Sequence, residues 1–95
     1  MTTNPTPPTP RESLIDYPSL FPIKVMGNKV DGLVEAISYI ARQFDPDFDA
    51  STVQLRDSRS GNYLGVTITV TATSREQLDD LYRALSTHPM VKVVL

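Results

Sequence analysis

Hydrophobic positions along the chain recur with two different periods, and the switches between them mark its elements. Leu64, Val66, Ile68, Val70 and Ala72 alternate with Gly65, Thr67, Thr69 and Thr71. Successive strand side chains point to opposite faces, so this stretch reads as a half-buried β-strand with one apolar side. Its β-branched residues suit a pleated surface, and no proline interrupts it. It is the longest strand candidate and is placed at the centre of a sheet.

The same alternation appears earlier. In 21–27, Phe21, Ile23 and Val25 share one face, and Lys24 and Met26 the other. Pro22 lies near the strand start, where a lost donor is tolerable, and Gly27-Asn28 breaks the strand. From Val30 the period lengthens. Val30, Leu33, Val34, Ile37, Ile40, Ala41 and Phe44 form one stripe of an amphipathic helix over about 30–44. Asp45-Pro46 ends it, because proline disfavours helical geometry in the residue before it. A second strand is expected within 51–57, where Val53 and Leu55 alternate with Gln54 and Arg56. The polar segment Ser58 to Asn62 then suits a hairpin loop into the long strand.

After Ala72 two capping boxes overlap, Thr73 with Glu76 and Ser74 with Gln77. Ser74 is preferred as the cap. Leu78, Leu81, Tyr82 and Leu85 mark a helix over about 75–87, stopped by His88-Pro89, and 90–95 reads as a last strand.

The order strand, helix, strand, strand, helix, strand is that of an α+β, ferredoxin-like βαββαβ sandwich. Two helices on one face of a four-stranded antiparallel sheet bury every apolar stripe. Right-handed crossovers and the central hairpin favour strand order 4-1-3-2. An interleaved hairpin with separate helices is the rival arrangement. The sheet face away from the helices is expected to show Lys24, Met26, Gln54, Arg56, Thr67, Thr69, Thr71, Lys92 and Val94.

Composition changes this picture at one end. Residues 1–10 hold four prolines and four threonines, with Met1 the one other apolar side chain. Such a segment buries too little to offset its ordering entropy. A disordered Pro/Thr-rich tail over 1–12 is therefore expected, ahead of a single domain over 13–95. Pro7 and Pro10 fit a PxxP spacing, which a loose terminus also explains. Leu14, Ile15, Tyr17, Leu20 and Phe21 are expected to pack on the domain.

Charge and chemistry narrow the function classes. The 95 residues carry 9 basic and 11 acidic side chains, a net charge of −2. That balance argues against binding nucleic acid through bulk positive charge. With no cysteine, disulfides, thiolate catalysis and cysteine zinc sites are excluded. No apolar run approaches the ~20 residues of a membrane span, and the start lacks a secretory pattern. A cytoplasmic location is expected.

Two segments resemble a known family. Phe21-Pro22-Ile23-Lys24-Val25-Met26-Gly27 is similar to the opening motif of the YbeD-like family of small bacterial proteins. Gly61-Asn62-Tyr63 leading into Val66-Thr67-Ile68-Thr69-Val70 resembles its second motif, and Val93-Val94-Leu95 its end. The resemblance covers about 13–95. It implies a ferredoxin-like fold similar to ACT-type regulatory domains, and no established activity.

Three constellations invite chemistry. Asp45, Asp47 and Asp49 have the spacing of the first ligands of an EF-hand loop. Ala50 and Arg56 stand where that loop needs glycine and glutamate. An acidic solvated loop is expected and no metal site. His88, the single histidine, sits at a helix end and lacks a nucleophile and orienting acid in register. Gly27, Asn28 and Lys29 follow the first strand and precede the first helix. ACT-type domains bind amino acids near the corresponding loop. Backbone donors at a helix start and the Lys29 ammonium would there meet a carboxylate. The plainer alternative is that Gly27 permits the turn.

The leading expectation is a small non-enzymatic regulatory or protein-interaction module with an unknown protein partner and no cofactor. The alternative is an ACT-like sensor of an amino acid or similar small carboxylate. A homodimer is compatible with either. Nucleic acid is disfavoured, because the base-stacking positions of such a sheet hold Lys24, Met26 and threonines.

Overall fold

A computed structural model describes residues 16–95. The expected tail over 1–12 therefore lies outside the described residues, as do Leu14 and Ile15. The elements are β1 (Ser19–Asn28), α1 (Leu33–Phe44), a 3-10 turn (Ala50–Thr52), β2 (Gln54–Asp57), β3 (Tyr63–Ala72), α2 (Arg75–Ser86) and β4 (Val91–Val94). One sheet holds all four strands in the order β2-β3-β1-β4, each antiparallel to its neighbour. Both helices cover one face of it. This is the ferredoxin-like α+β fold.

The sheet is built around the pairing of β1 with β3, which runs unbroken from Ser19↔Ala72 to Asn28↔Tyr63. Ile23, Val25, Val66, Ile68, Val70 and Ala72 point under the helices and are buried. Leu33, Ile37 and Ala41 of α1 and Leu78, Leu81 and Leu85 of α2 close over them. Burying a side chain of this size stabilises by roughly 1.5–3 kcal/mol. The threonines of β3 take the opposite face, as the alternation requires.

Backbone parity explains why proline is tolerated inside β1. Lys24 N–H donates to the Leu95 carbonyl at 3.2 Å, and Leu95 N–H to the Lys24 carbonyl at 2.7 Å. Even-numbered residues of β1 thus aim their amide groups at β4. At Pro22 no described strand pairs on that side, so the missing donor leaves no ladder bond unmade among the described residues.

Several local expectations need correction. α1 starts at Leu33, later than its stripe suggested. Gly32 adopts φ +92° as the residue before the helix, and Val30, half-exposed, is held outside it by a tight turn. The expected second strand begins at Gln54, because Asp49 caps the 3-10 turn before it. β4 carries a register shift: Met26 pairs with Val93, but Gly27 pairs with Val91. The extra residue at Lys92 moves Val93 to the open face opposite Met26. Val94, paired with Val25, packs against the core. Leu20 points to solvent at 73% exposure, so it does not pack on the domain. Ser74 caps α2 as expected, its Oγ accepting from Gln77 N–H at 3.0 Å.

Two outcomes test this description. Ile68→Ala is expected to cost about 2–5 kcal/mol in urea unfolding, and Thr69→Ala far less, since the two side chains lie on opposite faces. The second concerns pH. Asp49 accepts from the Ser51 hydroxyl at 2.7 Å and from its N–H at 2.9 Å. The hydroxyl first, and then the amide, hold the Asp49 carboxyl below its ordinary value. A lowered carboxylate contributes above its unfolded value, and the contribution fades as pH falls through the folded one. Carbon-detected NMR titration should show Asp49 titrating higher in Ser51→Ala than in wild type.

Candidate functional site

Gly27, Asn28 and Lys29 sit where the last residues of β1 meet the turn into α1. Gly27 is no turn residue. It lies within β1 on the helix side, and a Cβ there would run into the Met90 carbonyl oxygen and the Leu33 side chain. Glycine is needed because two neighbours approach the backbone closely.

The amides of this segment are engaged. Asn28 N–H donates to the Met90 carbonyl at 3.1 Å, Lys29 N–H to that of Asn62 at 3.0 Å, and Val30 N–H to that of Asn28 at 2.8 Å. The first turn of α1 begins beyond them, at Leu33. Lys29 Nζ stands 2.7 Å from Asp57 Oδ1 at the end of β2, with both side chains about half exposed (48% and 58%). A carboxylate arriving here competes with Asp57 for the ammonium. Exposed pairs of this kind contribute about 0–1 kcal/mol.

The other constellations resolve into structure. Asp45 is buried, contrary to the expected solvated loop. Its Oδ2 accepts from Thr71 N–H at 2.8 Å, and its Oδ1 from Asp47 N–H at 3.1 Å. Odd-numbered residues of β3 aim their amides toward β2, which reaches only as far as Thr67. Asp45 thus completes the ladder where β2 has not begun. Gln77 does the same for the Thr71 carbonyl at 3.1 Å, while also donating to Phe44 O at 2.8 Å and accepting from Thr73 N–H at 2.7 Å. Among the described residues no group of three metal-ligating side chains forms. His88 Nδ1 accepts from Met90 N–H at 3.1 Å, which shapes the turn into β4.

The sheet face opposite the helices is a second candidate surface. It contains a hollow of about 570 Å³ lined by residues of β1, β2, β3 and the β2–β3 loop, and by Leu95. Gly65 forms its floor, facing Met26 on β1 and Arg56 on β2 across the ladder. Lys24, Gln54, Arg59 and Thr67 surround it. Sequence reasoning placed most of these residues on this face but did not find the hollow. Its signal was the single glycine in the open-face row of β3, where the other positions are threonine or tyrosine.

Substitutions separate packing from binding at the turn. Gly27→Ala should lower stability by about 1–3 kcal/mol, as overpacking does. Lys29→Ala should lower it by less than about 1 kcal/mol. Denaturant melts of both variants check the contrast.

Comparison with known proteins places the chain. Residues 12–95 match the family model described as a protein of unknown function, DUF493. A UPF0250 protein of Ralstonia nicotianae is 62% identical over 93 residues, covering 97% of this chain and 96% of that one. A UPF0250 protein of Leptothrix cholodnii is 68% identical over 87 residues, covering 90% and 96%. The solution structure of protein HP0495 from H. pylori is similar at a TM-score of 0.74 with 13% identity, covering 98% of both chains. The ACT domain from the GTP pyrophosphokinase of Chlorobium tepidum is similar at 0.62 with 18% identity, covering 81% and 83%. At such identities the two structures speak for the fold alone. The extent of the family match and the identity of the relatives bear out the YbeD-like resemblance, and the chain belongs to the DUF493 family.

Proposed function

We propose that the chain is a small non-enzymatic regulatory or protein-interaction module, and that it engages its partner through the open face of the sheet. The supporting observation is the uneven covering of that sheet. One face is closed by two helices. The other keeps Leu20, Met26, Tyr63 and Val93 substantially exposed among threonines. Exposed apolar groups gathered on one surface with polar surroundings are typical of interaction sites.

A second reading is an ACT-like sensor of an amino acid or related carboxylate at Gly27, Asn28 and Lys29. Lys29, half-exposed at the strand-to-helix turn of a fold shared with an ACT domain, favours it. It requires the ligand to displace Asp57.

Affinity capture separates the readings. The full chain is expected to retain a discrete partner from native lysate, and Thr67→Arg on the open face to lose it. Tyr39→Ala on exposed α1 should keep it. If no partner depends on Thr67, the open-face reading fails. Calorimetric titration of amino acids tests the sensor. Heat in wild type that vanishes in Lys29→Ala would favour it over the interaction module, because loss of binding on removing one ammonium locates the carboxylate at that cation.

A further inference from the structure

We infer that the Gly65-floored hollow on the open face takes an acidic, extended segment of a partner protein; this rests on the interaction reading above and adds the chemistry of the partner.

The first observation is a sorting of charge. The chain is acidic overall, at −2. Among the described residues its acids lie in the loops, on the helices and at Asp57. No strand position on the open face carries Asp or Glu. That face carries Lys24 from β1 and Arg56 from β2, and Arg59 joins them from the adjoining loop. The acid at the rim, Asp57, is taken up by Lys29 at 2.7 Å. Lys24, Arg56 and Arg59 form no ion pair among the described residues. A local patch of cations on a negative protein selects an oppositely charged partner and steers its approach.

The second observation is shape. The hollow exists because Gly65 interrupts a row of side chains, between Tyr63 and Thr67. Its volume of about 570 Å³ suits a few side chains. Met26 supplies an adaptable apolar wall, and the stem of Arg56 extends it while its head stays in water. The fitting ligand therefore places an apolar side chain over Gly65 and carboxylates on either side.

The same features weigh against other occupants. Single-stranded RNA needs aromatic platforms, and on these strands the open face has Tyr63 alone, at one end. A symmetric dimer through this face would bring the cationic patch of one copy against that of the other.

Selection of random peptides displayed against the purified full chain tests the inference. Recovered peptides are expected to be rich in Asp and Glu around an apolar residue. Their affinity should fall roughly tenfold or more in Lys24→Glu/Arg56→Glu and weaken in high salt. Gly65→Leu, which fills the floor without changing charge, should also weaken them. Arg83→Glu on α2 should not. Circular dichroism checks folding, and Lys24→Gln/Arg56→Gln replaces the reversal variant if that one is unfolded. Peptides without acid enrichment, or binding indifferent to Lys24 and Arg56, would overturn the inference. So would tighter binding of oligouridylate, or a dimer in sedimentation that Lys24→Glu/Arg56→Glu dissociates or that the selected peptides displace. If a captured partner depends on Thr67 while peptides show no acid preference, the interaction reading stands and the acidic specificity falls. If neither partner nor peptide engages this face, both fall.

Discussion

Ten residues of β1 pair with ten of β3, while β2 and β4 have four each. This mismatch in length is the constraint on which the rest of the molecule depends. A long central pair buries enough alternating apolar residues to anchor both helices. It also leaves backbone groups at its ends with no strand beside them. Buried backbone groups must find partners, so each exposed end of the ladder needs its own solution. At Thr71 the solution is side chains from the helix ends, Asp45 on the amide and Gln77 on the carbonyl. At Pro22 it is a residue with no donor to satisfy.

The Thr71 corner ties several elements together. Asp45 closes α1, its own N–H donating to Ala41 O at 2.8 Å, while its carboxylate holds β3. Gln77, in the first turn of α2, reaches the last carbonyl of α1 at Phe44, the end of β3 at Thr71, and the amide of Thr73. A capping-box glutamine ordinarily turns back to the cap residue's own amide. Here it reaches one residue further out, and its amide nitrogen is left to bridge the two helices. Removing a partner from a buried group costs more than the bond itself contributes, so these two side chains fix the relative placement of α1, β3 and α2.

Periodicity made most of this legible. The alternation from Leu64 to Ala72 identified β3 and its buried face, and the stripe from Leu33 to Phe44 identified the body of α1. Those signals average over many residues and tolerate single exceptions. What escaped depended on one residue each. Val30 fits the helical stripe by spacing, yet Gly32 in a left-handed conformation starts the helix after it. Val94 fits the alternation of β4, yet one extra residue in the ladder turns it inward. Asp45 reads as a loop acid, because nothing local says that a strand 26 residues away lacks a partner. At the candidate turn, the residue types of Gly27, Asn28 and Lys29 were readable. Their engagement by Met90, Asn62 and Asp57 was not, since each partner comes from a distant part of the chain.

Two strand glycines show how one residue type serves opposite ends on the two faces of this sheet. Gly27 faces the helices, where absence of a side chain lets the Met90 carbonyl and Leu33 come close. The space it vacates is filled by the protein itself. Gly65 faces away, and a Cβ there would meet the Arg56 carbonyl oxygen at 3.3 Å and the Arg56 Cβ at 4.0 Å. No helix or loop of the described residues descends over it. The space beyond it is bounded by Met26, by Asp57 and Leu95, and by the cations Lys24, Arg56 and Arg59. A glycine in a strand weakens the strand by loss of packing and gain of unfolded entropy. At Gly27 that cost is offset by internal contacts. At Gly65 the internal contact is the Arg56 carbonyl oxygen, which stands 3.3 Å from where a Cβ would lie. The proposed partner segment, whose charge answers Lys24, Arg56 and Arg59, would add a second contact from outside, on the side of the strand that the helices leave uncovered.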